Sequence, residues 1–155
     1  MGSPIGEPDK SGWWARLQAR YADSPFHLLL GLTLVRVEAG LVEVELRDSA
    51  GVYNRAGVIA GGAIGALIDS AIVQAALTRL GEGDRAVTIE MKVNYLAPAR
   101  GGRLIARGAL LHLGGTTAVA EAKVTDERGN MVAVGLGTVA VRRAAMGSGA
   151  APATG

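Results

Sequence analysis

One acidic residue of this chain lies in surroundings that an ionised side chain usually avoids. Asp69 is the only charged residue in the stretch 58–77, which otherwise consists of apolar and small residues. A carboxylate in so apolar a segment is costly unless it is paired or put to chemical use. A neighbouring hydroxyl such as Ser70 or Thr88 could pair with it and make it structural. The other interpretation is that Asp69 is an acid–base or nucleophilic group.

A long helix over 60–80 is predicted to carry Asp69. A loop of small and turn residues precedes it, and the sequence Gly-Glu-Gly-Asp after Leu80 supplies a stop and a turn. Gly61 and Gly62 lie at the helix start, about two turns before Asp69. The segment is nearly long enough to span a bilayer, but its glycines and its central charge disfavour that interpretation.

Alternating apolar and polar residues predict six strands around this helix. Two runs separated by Ala39-Gly40 predict an antiparallel hairpin, whose second strand turns Glu43 and Glu45 to water. The run 86–96 should alternate in the same way, with Thr88 on its polar face. Runs 103–113 and 116–125 meet at Gly114-Gly115 and predict a second hairpin, and 131–141 predicts the last strand.

The remaining regions indicate the limits of the domain and the expected cellular location. Trp13, Leu17 and Tyr21 have helical spacing and predict a short packing helix. We expect a flexible arm at 1–10, a single domain at 11–143 and a disordered tail at 144–155. The N-terminus does not look like a secretory signal, and cysteine is absent, so a cytoplasmic protein is expected.

Charge and composition disfavour several kinds of partner. The formal net charge is +2, from 16 basic and 14 acidic residues that are scattered along the chain, so nucleic-acid binding is not expected. The absence of cysteine excludes a thiol nucleophile. With only His27 and His112 as imidazoles, a zinc site is not expected either.

Two motifs resemble those of the hotdog-fold acyl-CoA thioesterases. The motifs are N-R-A-G-V-I-A-G-G-A-I-G-A-L-I-D at 54–69 and T-I-E-M-K-V-N-Y-L-A-P-A at 88–99. The likeness covers about residues 24–142 and is strongest to the phenylacetic-acid-degradation type, within the 4-hydroxybenzoyl-CoA thioesterase-like superfamily. In that family an Asn precedes a His-Gly-Gly motif and an acid follows it. Asn54, Gly61-Gly62 and Asp69 match in spacing, whereas Ala60 stands where histidine is usual.

The resemblance implies an α+β hotdog fold and a reaction. The fold is an antiparallel sheet of five to six strands wrapped around one long central helix, with a short N-terminal helix. The implied activity is hydrolysis of a medium-chain or aryl-acyl-CoA to the free acid and coenzyme A, with no metal or redox cofactor. The family also implies a homodimer with sites at the subunit interface, commonly doubled to a homotetramer, and no nucleic-acid or membrane partner.

The resemblance assigns a role to each matching residue. Asp69 would be the general base or the nucleophile, and the sequence leaves both routes open. Gly61 and Asn54 would polarise the thioester carbonyl from the other subunit, and Thr88 would orient Asp69. Substrate contacts are expected from one further group of residues: Gly62, Arg100, Arg103, Gly114, Gly115 and Thr116. Without the resemblance, the sequence supports two interpretations equally for each residue: Asn54 is a turn residue or a site residue, and Thr88 is an ordinary strand residue or a site residue.

Other functions remain open at this stage. Because Ala60 replaces the usual histidine, the chain could be a non-catalytic hotdog protein that binds acyl-CoA or an acyl carrier. Asp69 could also be a buried packing acid in a structural oligomer. A dehydratase is less favoured, since neither His27 nor His112 occupies a position that matches hotdog hydratases.

Overall fold

The fold is one antiparallel sheet that curves around one long helix. In a computed structural model of the chain, described for residues 12–144, the elements are α1 (Trp13–Ala22), α2 (Pro25–Leu30), β1 (Leu32–Glu38), β2 (Leu41–Leu46), α3 (Gly61–Leu77), β3 (Arg85–Tyr95), β4 (Leu104–Leu113), β5 (Thr117–Thr125) and β6 (Met131–Arg142). The strand order is β1-β2-β4-β5-β6-β3, so β1 and β3 are the edges. The predicted arm at 1–10 and most of the predicted tail lie outside the described residues.

Turn residues and periodicity locate most of these elements. Both hairpins form antiparallel pairs, β1 with β2 and β4 with β5. The predicted single N-terminal helix is followed by a second one, α2, which begins with Pro25 after the Ser24 cap and ends at Gly31 with φ 69°. Proline favours the first turn of a helix and glycine its left-handed end, so this short helix has ordinary local causes.

The long helix α3 ends earlier than the sequence predicts. Its last residue is Leu77 and not Leu80, and Thr78 follows as the C-cap. The Thr78 hydroxyl donates to the carbonyl of Ala75 at 2.7 Å and accepts the amide of Gly40 at 2.7 Å. The helix end is therefore joined by a side chain to the turn between β1 and β2.

One side of α3 packs directly on the sheet backbone. A Cβ atom at Gly108 of β4 would collide with the carbonyl oxygen of Ala71, and one at Gly135 of β6 would collide with Ile68. Ala71 and Ile68 are fully buried. These two glycines allow the helix and the strands to approach each other closely. We call this the closed side of α3.

The opposite side of α3 is only partly covered. Gly62, Ala66, Asp69 and Val73 follow one another at helical spacing on this side, and none of them is fully buried. We call this the open side. It lies between the edge strand β3 and the segment formed by α1 and α2, because Asp69 contacts Thr88 of β3 while the adjacent Ser70 contacts Tyr21 of α1.

One residue of β2 departs from the predicted alternation. Glu45 was expected on the water-facing side, but its residue exposure is only 2%. The guanidinium groups of Arg47 and Arg103 both pair with its carboxylate, the second at 3.4 Å. Burial of this acid is tolerated because two cations cover it. Between residues 12 and 144, no helix has the length and apolar character needed to cross a membrane.

Candidate active site

The carboxylate of Asp69 is held by a hydroxyl from another element. The Thr88 hydroxyl donates to Oδ1 of Asp69 at 2.5 Å, from β3 to the open side of α3. A hydrogen bond to an ionised oxygen is short and strong, so it fixes the direction of the carboxylate. Asp69 itself is only partly buried. A carboxylate that is fixed yet accessible differs from the buried packing acid that the sequence left as an alternative.

A β-bulge turns Thr88 toward the helix. The pairing of β3 with β6 shifts between Thr88 and Glu90, which leaves Ile89 as the extra residue. The predicted alternation placed Val87 and Ile89 on the core face and Thr88 on the polar face. This expectation is wrong for that part of the strand, since Val87 is 57% and Ile89 59% exposed. A bulge redirects the side chains that flank it.

The other neighbour of Asp69 is a pair of rings from the N-terminal helices. The Tyr21 hydroxyl hydrogen-bonds the hydroxyl of Ser70, and the Tyr21 ring stacks on His27 with centroids 4.1 Å apart. Burial raises the pKa of Tyr21 to about 12; the Ser70 hydrogen bond opposes this rise, and the charge of Asp69 adds to it. Burial lowers the pKa of His27, whereas the charge of Asp69 raises it.

Sequence reasoning missed this ring pair as part of the site. Tyr21 was interpreted only as a packing residue, and His27 was considered only as a zinc ligand or a hydratase residue and was not favoured as either. Tyr21 and Ser70 are 49 positions apart, so no local spacing connects them. Nδ1 of His27 is buried and has no hydrogen-bond partner among the described residues.

The start of α3 presents two free backbone donors. Ala60 is the N-cap residue and forms no side-chain cap, while its carbonyl accepts the amides of Ala63 and Ile64. The N–H groups of Gly61 and Gly62 have no partner among residues 12–144, as the first turn of a helix leaves its donors unsatisfied. The positive end of the helix dipole lies at the same place.

Backbone hydrogen bonds hold the loop before α3. The amide of Ala60 donates to the carbonyl of Val52 at 2.7 Å, and the amide of Ile59 donates to that of Ala99 at 2.8 Å. The helix start is therefore fixed on two sides without any side chain from Ala60.

Asn54 is a turn residue whose amide group remains available. Its side-chain oxygen accepts the amides of Ala56 at 2.9 Å and Val58 at 3.4 Å, which closes an Asx turn. The Nδ2 group has no protein partner among the described residues. Asn54, Gly61 and Tyr95 line one pocket of about 310 Å³. The predicted Asn54 and Gly61 are thus together, and a side-chain amide and the free N–H group of Gly61 lie at one cavity.

Asp69 and Gly61 are well separated within one chain. They lie eight positions apart on a helix that rises 1.5 Å per residue, so about 12 Å of helix axis separates them. Asp69 is also absent from the lining of the pocket at Gly61. One chain therefore presents two halves of a candidate site, one in the middle of α3 and one at its start.

The expected coenzyme A contacts fall at two ends of β4. Arg100 and Arg103 precede the strand, and Gly114, Gly115 and Thr116 follow it. Ten residues of strand at about 3.3 Å each place the two groups about 33 Å apart. Within residues 12–144 of one chain, these two groups of expected contacts are not brought together. Arg100 is exposed, whereas the Arg103 side chain already pairs with Glu45.

Comparison with known proteins identifies the family. The model of the Thioesterase superfamily matches residues 56–133, which include Gly61, Asp69, Thr88 and most of the sheet. The chain belongs to the thioesterase superfamily. The prediction that it is a thioester hydrolase of this superfamily is therefore confirmed.

Two curated thioesterases are similar to this one over most of its length. The 1,4-dihydroxy-2-naphthoyl-CoA hydrolase of Listeria monocytogenes is 28% identical over 114 residues, or 74% of this chain and 93% of that protein. The medium/long-chain acyl-CoA thioesterase YigI of Salmonella typhimurium is 30% identical over 66% of this chain and 76% of its own. These similarities support thioester hydrolysis at the level of the family.

The fold of this thioesterase also matches solved structures. The E. coli PaaI protein from the phenylacetic acid degradation operon superposes with a TM-score of 0.76 at 23% identity, covering 83% of this chain and 91% of its own. At that identity the likeness concerns the fold alone. The predicted hotdog fold, with its long helix wrapped by six antiparallel strands, is confirmed.

Proposed function

We propose that this thioesterase hydrolyses acyl-CoA esters with a medium-chain or aryl acyl group, releasing the free acid and coenzyme A. The observation that carries the proposal is the Asp69 carboxylate, which lies on the open side of α3 and is fixed by Thr88 at 2.5 Å. The substrate class is supported by the two curated relatives, one named for an aryl-CoA and one for medium- and long-chain acyl-CoA.

The proposed reaction needs an activated oxygen nucleophile. In one route Asp69 takes a proton from water, the resulting hydroxide attacks the thioester carbon, and the tetrahedral intermediate expels the coenzyme A thiolate. In the other route the carboxylate attacks the carbon itself, the thiolate leaves, and water then hydrolyses the mixed anhydride. Thr88 donates to Oδ1 in both routes and so keeps one carboxylate oxygen aimed at the open side. Neither route uses a metal or a redox cofactor.

The carbonyl oxygen of the substrate needs donors where negative charge develops. Gly61 and Asn54 line one pocket and offer a free N–H and a free Nδ2 group, and the free N–H of Gly62 follows in the same helix turn. Preorganised donors of this kind contribute about 3 kcal/mol each to the transition state in enzymes where one has been removed. Gly61 and Asn54 are therefore our candidates for the oxyanion site, with the adjacent N–H of Gly62 as a further donor.

The two halves of the site are proposed to come from two subunits. Attack and polarisation act on one carbonyl, so the donors must lie within about 3 Å of it and Asp69 must reach it directly or through one water molecule. The separation of about 12 Å between Asp69 and Gly61 along α3 is too large for that within one chain. A homodimer that sets Asp69 of one subunit against Gly61 and Asn54 of the other would satisfy the requirement. Doubling to a homotetramer and a cytoplasmic location stay predictions.

Binding of the nucleotide end of coenzyme A is proposed at two places. Arg100 is exposed and can offer a cation to a phosphate. Arg103 remains 54% exposed in its side chain although it pairs with Glu45. The turn of Gly114, Gly115 and Thr116 lies at the other end of β4 and would serve a substrate bound between subunits.

A panel of coenzyme A esters tests the proposal. Linear acyl-CoAs of increasing length, phenylacetyl-CoA and hydroxybenzoyl-CoA would be incubated with the protein while free thiol release is followed. Turnover of an aryl or medium-chain ester is the expected result. The absence of turnover on every ester would contradict the proposal. Ala60 provides no polar side chain and no cap hydrogen bond at the helix start, which favours a non-catalytic acyl-CoA binding protein as the second candidate. Calorimetric binding of the same esters without turnover would support that candidate.

A further inference from the structure

One aromatic side chain clamps the start of α3. Tyr95 is the last residue of β3, and its hydroxyl donates to the carbonyl oxygen of Gly61 at 2.8 Å. The two residues are 34 positions apart. The phenol ring of Tyr95 lies over the first turn of the helix and lines the pocket that Asn54 and Gly61 also line. A strand end is thus joined to the helix start at the proposed oxyanion site.

Two glycines provide the room for this ring. A Cβ atom at Gly61 would lie 3.3 Å from Cζ of Tyr95, and one at Gly65 would lie 3.5 Å from its hydroxyl oxygen. The first distance is tighter than ordinary van der Waals contact, whereas a Cβ at Gly62 would meet nothing within 4 Å. The ring therefore sits on the Gly61–Gly65 face of α3 and leaves Gly62 open.

Within residues 12–144, Tyr95 alone supports this turn through a side-chain hydrogen bond. Ala60 forms no side-chain cap. Among the described residues, the Tyr95 hydroxyl is the one side-chain group that hydrogen-bonds the backbone of 60–62. The backbone amides of Ile59 and Ala60 hold the loop before the turn, and the helical hydrogen bonds of α3 hold the turn itself, so Tyr95 adds a side-chain restraint on the Gly61–Gly62 peptide.

The peptide that Tyr95 binds is the one that carries a proposed donor. The carbonyl of Gly61 and the N–H of Gly62 belong to one planar amide and point in opposite directions. A hydrogen bond to the oxygen restricts rotation of this plane and polarises the amide, which makes its N–H a stronger donor. Because the oxyanion develops only in the transition state, the orientation of this N–H should influence kcat more than substrate binding.

We infer that Tyr95 is a positioning residue for the proposed thioester hydrolysis, acting through the Gly61–Gly62 peptide. The inference rests on the proposed function for its effect on rate. The contact between Tyr95 and Gly61, and the consequence for the Gly62 N–H, do not depend on which ester is the substrate.

The variant Tyr95→Phe tests the inference by removing the hydroxyl and keeping the ring. We expect kcat to fall about tenfold, as for the loss of a group that orients one donor, with KM changed less than about twofold and the melting temperature retained. Tyr53→Phe is the matched control, because the Tyr53 hydroxyl bonds Asp48 and not the helix start. Its kcat should equal that of the wild type.

A second readout is independent of turnover. In ¹H–¹⁵N spectra the amide proton of Gly62 should move upfield in Tyr95→Phe and stay in place in Tyr53→Phe. If the wild type hydrolyses esters and Tyr95→Phe keeps its kcat, or if the Gly62 resonance does not move, the inference is overturned. If the wild type hydrolyses no ester, the proposed function fails, and the Gly62 resonance alone decides whether Tyr95 orients the peptide.

Discussion

The two sides of α3 show how one helix can serve both packing and chemistry. On the closed side, Gly108 and Gly135 let the sheet backbone approach so closely that even a methyl group would collide with the helix. On the open side, Gly62 meets nothing within 4 Å of a Cβ position, and Asp69 is held by one hydroxyl. Substitutions on the closed side should therefore affect stability, and those on the open side should affect turnover.

The largest effect is expected from the acid on the open side. Asp69→Asn keeps the size of the side chain but removes its basic and nucleophilic character, so turnover should fall by about a thousandfold or more, within the range for loss of a catalytic acid–base group. Free-thiol release measures this loss, and the melting temperature should stay close to that of the wild type. Glu121→Gln makes the same chemical change on β5 and should keep full activity. An active Asp69→Asn variant would remove Asp69 from the mechanism.

The next effect concerns the closed side. Gly108→Ala would place a methyl group against the Ala71 carbonyl, a backbone atom that cannot move without the helix. Overpacking of this kind costs about 1–3 kcal/mol of the free energy of unfolding. Denaturant titration measures the cost. The matched variant Gly62→Ala on the open side should lose no stability, since its methyl group has free space. Equal stability losses in the two variants would remove the distinction between the sides.

A smaller effect is expected from the hydroxyl that holds Asp69. Thr88→Val replaces the donor by a methyl group of similar size, so kcat should fall about tenfold, corresponding to a lost hydrogen bond of about 1.4 kcal/mol to a charged group. Thr88→Ser retains the donor and should recover most of the activity. Steady-state kinetics on the same ester measure both. If Thr88→Val and Thr88→Ser have the same kcat, the hydroxyl does not orient Asp69.

The smallest expected effect is a pH dependence of stability at the ring pair beside Asp69. Burial lowers the pKa of His27 from its ordinary value of 6.5, so His27 binds protons more readily in the unfolded chain than in the fold. Its contribution to stability is therefore complete above pH 6.5 and is lost as the pH falls below that value toward the lowered pKa. The difference in unfolding free energy between the wild type and His27→Gln should shrink on acidification. A difference that is constant from pH 8 to pH 5 would contradict this.

Local sequence signals predicted the scaffold better than the contacts at the site. Turn glycines and alternation located both hairpins, and an apolar run located α3, because these features arise between near neighbours in the chain. The spacing of Asn54, Gly61 and Asp69 also indicated the family. The bulge at Ile89 follows no such signal, since it depends on the register between β3 and β6.

The long-range contacts at the site could not be predicted from the sequence for a related reason. Tyr21 meets Ser70 and Tyr95 meets Gly61 across 49 and 34 positions. Such pairs are fixed only when the sheet has curved around α3. The contact between Asp69 and Thr88 was an exception. An acid in an apolar segment needs a polar partner, and Thr88 was one of the few hydroxyls that the sequence offered.

The most direct test of the account asks whether the two halves of the site come from different subunits. Asp69→Asn lacks the acid, and Gly61→Val crowds the donors at the helix start; each homodimer should be inactive. After the two variants are unfolded together and refolded as an equal mixture, half of the dimers are mixed and hold one intact site, so about a quarter of wild-type turnover should return. Turnover that stays at the level of the separate variants would contradict a site shared between subunits.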